Sequence, residues 1–175
     1  CGNALRCAGL LLSAELGDCF NIKTPTGTHA IDATDKKAIK VNMGKADILA
    51  SPLKFNLEMF EKPDHISIGN PHLAFFVDDL SAYPLERLGP QIENHPKFPE
   101  RINVEIARVK SADVIEMRIW ERGVGLTEAC GSGACAVAYA AHKRGLIKNH
   151  VSILMPGGSL EIDINDQEEI IMTGP

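Results

Sequence analysis

The sequence predicts a mixed α/β (α+β) fold, and three observations support this prediction. The 175 residues are 45% apolar and 23% charged, which is the balance of a folded globular protein. Only 5% are aromatic, so the core must consist mainly of Val, Ile, Leu and Ala, which suits strands and helices rich in small residues. Two segments with helical spacing alternate with several segments in which apolar residues recur every second position.

The first helix is predicted over residues 1–16, where Leu5, Leu12 and Leu16 recur at helical spacing and Gly17 provides a stop. After this glycine the hydrophobic period changes to two, which is typical of strands. The strands predicted here cover residues 20–23, 29–33 and 38–43, separated by turn residues such as the TPTGT at 24–28.

Between Pro52 and Pro63 the pattern is irregular, and residues 51–62 are predicted to cross between two lobes, 1–60 and 61–175. In the second lobe, alternation predicts strands at 102–106 and 115–120, and the continuous apolar run LAFFV predicts a buried strand at 73–77. Further short strands are predicted at 65–68, 151–155, 159–164 and 168–173. A second helix is predicted from the small residues of GSGACAVAYAAHKRG, whose basic end and glycine are typical of a helix terminus.

Charge and composition narrow the class of partner. The net charge of −5 leaves no basic surface for nucleic acid or for an acidic membrane. The longest apolar stretch, residues 7–14, is far shorter than the roughly 20 residues that cross a bilayer. We therefore expect a small-molecule partner, with no nucleic acid and no membrane.

The five cysteines form an odd set without a CxxC pair, which fits neither a disulfide framework nor a structural zinc site. This pattern favours a reducing cytoplasm and predicts no metal. Cysteine is a frequent core residue, so Cys7, Cys19 and Cys135 are assigned to packing.

An internal echo suggests where the chemistry lies. In two places a cysteine, a glycine and a small polar residue precede an apolar helix: Cys1-Gly2-Asn3 and Cys130-Gly131-Ser132. Each cysteine alone is equally compatible with packing. At a helix N-terminus, however, the unpaired amides and the dipole favour an anion and are expected to lower the pKa of a thiol.

Two such thiols facing each other suit inversion of a stereocentre. One thiolate removes a proton from one face of a substrate carbon, and the other thiol delivers a proton to the opposite face. Amides aimed at a substrate carboxylate would stabilise the charge that develops, so no cofactor is needed.

Three other polar segments have open roles. Glu121-Arg122-Gly123 follows a strand and is either a surface ion pair or a ligand contact. The GNPH at 69–72 is a turn signal, and His72 within it stays undecided. Asn103, among apolar neighbours, either faces solvent or binds something.

The chain resembles the diaminopimelate epimerase family. CGNALRC at 1–7 and ERGVGLTEACGSGACA at 121–136 are similar to the segments around the family's two catalytic cysteines, and GNPH and FPERINVE fall between them in the expected order. Ala4 and Leu126 depart from the family pattern at positions without a chemical role.

The resemblance implies cofactor-independent conversion of LL-diaminopimelate to meso-diaminopimelate, an isomerase step in lysine and peptidoglycan precursor synthesis. It implies a fold of two pseudo-symmetric lobes, each a sheet wrapped around a central helix, and leaves a homodimer open. Cys1 and Cys130 would be the acid/base pair, with His72 and Glu121 orienting the reacting group. The implied substrate-binding residues are Gly2, Asn3, Asn70, Asn103, Glu121, Arg122, Gly131 and Ser132.

Family members carry a substantial stretch before the first cysteine and a final strand after the position of Pro175. We therefore expect the N-terminal lobe to be incomplete in these 175 residues and the chain to be inactive alone.

Three other functions are weighed against this one. A proline or hydroxyproline racemase keeps the two cysteines but differs around them. A thiol hydrolase would use one cysteine as nucleophile and His72 as base. A binding module would keep the fold without catalysis.

Overall fold

A computed structural model of the chain describes residues 2–50 and 62–175. The helices in these residues are α1 (Gly2–Leu16), α2 (Leu85–Glu93) and α3 (Gly131–Lys143), with a short 3₁₀ turn at Leu80–Ala82. The strands are β1 (Cys19–Thr24), β2 (Gly27–Asp32), β3 (Ile39–Lys45), β4 (Asp47–Leu49), β5 (Asp64–Ser67), β6 (Pro71–Phe76), β7 (Asn103–Ser111), β8 (Val114–Glu121), β9 (Gly125–Thr127), β10 (His150–Met155), β11 (Gly158–Ile164) and β12 (Glu169–Gly174).

These strands form one sheet in the described part of the chain. Its order is β1-β2-β3-β12-β11-β10-β8-β7-β6-β5-β4, with β9 paired to β8. The pairs β6–β7 and β8–β10 are parallel, and the other neighbours are antiparallel. The pairing of β3 with β12 joins the early strands to the last strand of the chain, which brings the two helix starts into one region.

The mixed α+β prediction is confirmed, and both predicted helices form. Gly17 ends α1 in the left-handed region at φ 83°, which a glycine adopts without strain. Strands β4 and β9 were not predicted, because three residues are too few for a period of two to register. The predicted crossing and the lobe boundary at residue 60 lie in residues 51–61, outside the described residues, so both stay predictions.

The two principal helices are buried to different extents. Helix α3 runs through the largest core cluster, and its residues 134–141 are at most 5% exposed because the many alanines let strands approach closely. Helix α1 instead buries Leu5, Arg6, Gly9 and Ser13. Its leucines at 10, 11, 12 and 16 are exposed, so of the three leucines with helical spacing in the sequence only Leu5 lies on the buried face.

Alternation along β6 and β7 separates two environments. Leu73, Phe75 and Ile106 pack against α2 in a second apolar cluster. Their neighbours on the other face, His72 and Glu105, point toward α3 and are fully buried. The strand pattern therefore places two ionisable side chains inside the core under α3.

Helix α2 approaches the sheet through Gly89. A Cβ at this position would lie 2.4 Å from Cγ of Trp120. We expect Gly89→Ala to destabilise the fold by about 1–3 kcal/mol, because the indole has to move out of a packed position. Urea unfolding would measure the loss, and Arg87→Ala, at an exposed position of the same helix, is the control. An unchanged midpoint would mean that the indole shifts without cost.

Candidate active site

A cavity of about 410 Å³ opens where α1 and α3 begin. Its wall includes many of the residues that the sequence predicts as site residues: Gly2, Asn3, Asn70, Glu121, Cys130, Gly131 and Ser132. The structure thus brings residues from the first turns of two helices, from the β5–β6 turn and from the end of β8 to one place. That convergence comes from sheet pairing, since these residues are far apart in the sequence.

Cys130 is the N-cap residue of α3. Its backbone is extended at φ −143° and ψ 115°, as is usual for an N-cap residue. The residue is 7% exposed, and its Sγ lies 3.5 Å from Oγ of Ser132. The thiol therefore lies at the N-terminus of a helix, as the sequence predicts.

The predicted lowering of the thiol pKa is wrong for Cys130. Burial raises the pKa of this thiol to about 12, and the nearby carboxylates of Glu121 and Glu105 add to the rise. The hydrogen bonds from Ser132 and from the Gly133 amide act in the opposite direction but are outweighed. Desolvation wins over the helix end because the sulfur is enclosed, so Cys130 is a neutral thiol at physiological pH.

This raised pKa predicts slow alkylation of Cys130. At pH 8 a thiol with a pKa near 12 is ionised to on the order of one part in ten thousand. We expect iodoacetamide to label the exposed Cys7 first, with Cys130 labelled faster as the pH rises toward 12. Rates for each peptide, followed by mass spectrometry, would test this. Equal rates for both cysteines at pH 8 would contradict it.

The same proton also affects folding stability. The folded chain holds the Cys130 proton above the ordinary thiol pKa of 9.0, whereas an unfolded chain releases it there. The stability that this group contributes is therefore fully present below pH 9 and is lost as the pH rises from 9 toward about 12. Acidification does not change this contribution.

The first turns of α1 and α3 are in contact. A Cβ added to Gly131 would lie 3.3 Å from Cα of Gly2 and 2.8 Å from Sδ of Met172. Met172, fully buried on β12, fills the space beneath both glycines. Side chains larger than hydrogen at these two positions would push the helix starts apart, which gives the glycines of the echo a physical reason.

Cys1, the predicted partner of Cys130, lies outside the described residues, and its role stays a prediction. Its chain neighbour Gly2 lines the cavity opposite Gly131.

Glu121 lies on the cavity wall at the end of β8. Its Oε1 accepts a hydrogen bond of 2.5 Å from Oγ1 of Thr127. The turn that follows is held from below by Glu93, which accepts bonds from the Gly123 amide at 2.8 Å and from Nε1 of Trp120 at 2.7 Å. The sequence does not reveal this support, because Glu93 is on α2 and about 30 residues away.

His72, Asn103 and Arg122 do not line the cavity. Nδ1 of His72 lies 2.5 Å from Oε1 of Glu105, and both side chains are fully buried. Asn103 donates to the carbonyl of Pro71 at 2.8 Å and accepts from the Arg122 amide at 3.0 Å. These bonds satisfy Asn103 by joining β6, β7 and the β8–β9 turn, and the predicted contacts of all three residues with substrate stay predictions.

The β1–β2 hairpin contributes residues that sequence reasoning missed. Thr24, Thr26 and His29 line the cavity, although the TPTGT segment predicts only a turn and His29 is not among the predicted site residues. Nε2 of His29 lies 3.1 Å from Oγ1 of Thr24, and Thr26 packs against Gly69 across the opening. No local sequence signal marks these residues, because their position depends on the pairing of β3 with β12.

The assignment of the remaining cysteines is partly wrong. Cys135 is buried in the core as predicted, but Cys7 and Cys19 are exposed. Within residues 2–50 and 62–175 no three His, Cys, Asp or Glu side chains form a group that could hold a metal. The helices in the same ranges are also too short or too polar to cross a membrane.

Comparisons with known proteins give the chain a family. The sequence profile described as diaminopimelate epimerase matches residues 65–175. The diaminopimelate epimerase of Erythrobacter litoralis is 45% identical over the whole of this chain and 67% of its own length, and that of Chelativorans sp. is 43% identical over the whole chain and 66% of its own length. The diaminopimelate epimerase of Brucella canis is 41% identical over the whole of this chain and 64% of its own length. The chain thus spans about two thirds of the length of these relatives.

Solved structures share the fold at low identity. A predicted epimerase from Pseudomonas aeruginosa superposes with a TM-score of 0.72 at 18% identity, covering 98% of this chain and 69% of that one. A probable proline racemase from Agrobacterium radiobacter, with bound carbonate, gives a TM-score of 0.70 at 14% identity, covering 98% and 63%. At such identities the likeness shows the architecture alone.

Proposed function

This chain belongs to the diaminopimelate epimerase family, and we propose that it carries the site of an isomerase that interconverts LL- and meso-diaminopimelate. The single observation that supports this most strongly is the meeting of two helix starts, each bearing the glycine of a Cys-Gly pair, at one cavity. A lysine and peptidoglycan precursor enzyme of this kind is expected in the cytoplasm, and its partner is a small molecule.

In the proposed mechanism Cys130 begins one direction of turnover as the acid. Its enclosed thiol is protonated, and it delivers a proton to the α-carbon from the side of α3. Cys1, as a thiolate, removes the α-proton from the opposite face. After one turnover the protonation states of the two sulfurs are exchanged, so the reverse reaction uses the same pair with roles swapped.

The first turn of α3 is suited to stabilise the negative charge that develops during this step. The amides at the start of a helix have no intrahelical partner, and Gly131 and Ser132 lie on the cavity wall. A substrate carboxylate placed there gains hydrogen bonds as the carbanion forms. Glu121 and Asn70, on the same wall, are proposed to contact the amino group and the far end of the substrate.

The alternatives find less support. A Cys-His hydrolase needs a thiol–imidazole contact, but the hydrogen-bond partner of Cys130 is the Ser132 hydroxyl, and His72 does not line the cavity. Among the described residues no cysteine bonds a histidine. The racemase-like relatives match in fold alone.

The test is incorporation of solvent deuterium at the α-carbon of diaminopimelate by the full-length protein, together with conversion of the LL isomer to the meso isomer. We expect both, without added metal or organic cofactor. Proline and hydroxyproline serve as comparison substrates and should exchange at background rates. Binding of diaminopimelate without deuterium incorporation would instead indicate a binding module and would overturn the proposal.

A further inference from the structure

Arg6 is a buried cation next to the cavity. The residue is 8% exposed, lies one helical turn after Asn3 on α1, and bonds no Asp or Glu side chain anywhere in residues 2–50 and 62–175. Arginines that do pair with a carboxylate in these ranges, such as Arg118 with Glu86 at 2.6 Å, lie nearer the surface. Burying a guanidinium without a carboxylate costs free energy of folding, so packing alone does not explain why an arginine lies here.

Three contacts fix the guanidinium in one orientation. Nε donates to the main-chain oxygen of Pro175 at 2.9 Å, and Nη1 donates to Oδ1 of Asn3 at 3.1 Å and lies 3.6 Å from Sδ of Met172. A Cβ at Gly174 would lie 2.3 Å from Cδ2 of Leu160 and 3.2 Å from Nε of Arg6, so the glycine lets both side chains approach this strand closely. The planar fork therefore ties the first turn of α1 to the end of β12.

The bond to Asn3 decides which way the Asn3 amide faces. A guanidinium has only donors, so the atom turned toward Arg6 must be the Asn3 oxygen. The amide nitrogen is then directed away from Arg6, and it has no hydrogen-bond partner within the described ranges. Asn3 lines both the 410 Å³ cavity and a small cavity of about 70 Å³ that it shares with Arg6.

We propose that Arg6 is a positioning residue, which holds the Asn3 amide so that its Nδ2 donates to the substrate carboxylate in the cavity. The bond from the cation also polarises the amide, which makes that Nδ2 a stronger donor. An anionic ligand one side chain away supplies the counter-charge that Arg6 lacks among the carboxylates of the described residues. The inference rests on the proposed function, since it concerns the same substrate.

A double-mutant cycle with Arg6→Met and Asn3→Ala tests this proposal in the full-length protein. Methionine keeps the apolar stem but cannot donate. We expect each single variant to lower kcat/KM for diaminopimelate by about 10- to 100-fold, chiefly through a raised KM, because each loses the same charge-assisted contact. The double variant should be no worse than Asn3→Ala by more than about threefold, since Arg6 acts through Asn3.

Arg6→Lys separates orientation from charge. A lysine keeps the cation but lacks the planar fork that reaches Asn3 and Pro175 together, so we expect partial recovery of kcat/KM relative to Arg6→Met. If Arg6→Met does not fold by circular dichroism, the cycle is run with Arg6→Lys. Arg118→Met, at a surface ion pair, is the matched control and should leave kcat/KM unchanged.

Multiplied losses in the double variant, about 100- to 10,000-fold in total, would show that Arg6 acts independently of Asn3 and would overturn the inference alone. A wild-type protein that exchanges no α-proton of diaminopimelate would overturn the proposed function, and this inference with it.

Discussion

Replacing Cys130 by serine is expected to lower both epimerisation and α-proton exchange by at least about a thousandfold. General acid–base catalysis by a positioned group contributes about 10²–10⁴. A hydroxyl at the same place is a far weaker acid than a thiol, so at neutral pH it neither delivers a proton as readily nor supplies the deprotonated form that removes the α-proton. The fold should be unaffected, because Ser and Cys have similar volumes and serine is a good N-cap residue for α3. Circular dichroism and thermal unfolding would verify this before kinetics are measured.

The matched control is Cys7→Ser. Cys7 lies on α1 and is exposed, so we expect full activity from this variant. Cys1→Ser should be as inactive as Cys130→Ser, since two-base inversion needs both sulfurs. Full activity in either the Cys1 or the Cys130 variant would show that one thiol is dispensable and would exclude the two-base scheme.

Replacing Gly131 by alanine is expected to lower kcat by about a hundredfold and to destabilise the fold by about 1–3 kcal/mol. The added methyl would meet Sδ of Met172 at 2.8 Å and Cα of Gly2 at 3.3 Å. The helix starts have to separate, and displacements near 1 Å at a reacting centre cost on the order of 10² in rate.

A second substitution distinguishes the two contacts. Met172→Ala removes the sulfur but leaves the approach of the two backbones, so in the Gly131→Ala background it should relieve the overlap with the side chain without restoring kcat. Steady-state kinetics and urea unfolding of the single and double variants would measure both quantities. Full recovery of kcat would mean that the helix spacing is not what matters.

Much of the fold was predictable because its signals are local. The strands of β7 and β8 alternate clearly in the sequence, and the small residues of α3 match a helix enclosed by strands. Gly17 marked the end of α1 correctly. Very short strands such as β9 could not be predicted, since three residues are too few to show a period of two.

The site was predictable in part. The family motifs pointed to the starts of α1 and α3 and to Glu121, which the structure brings to one cavity. The contact of His72 with Glu105 and the hydrogen bond from Asn103 to Pro71 could not be predicted from the sequence, because the partners lie on neighbouring strands. The motif CGNALRC contains Arg6, but only its buried contacts with Asn3 and Pro175 indicate what it does.

By itself, the sequence determined the mixed helix and strand content, the two helices that follow Cys-Gly pairs, and the family. These features depend on the order and spacing of residues that are close together in the sequence. Only the tertiary structure decided that Cys130 is a protonated thiol and that the β1–β2 hairpin borders the cavity. Burial and the pairing of β3 with β12 act between distant residues, and the enclosure they create overrides what a helix end alone would do to a thiol.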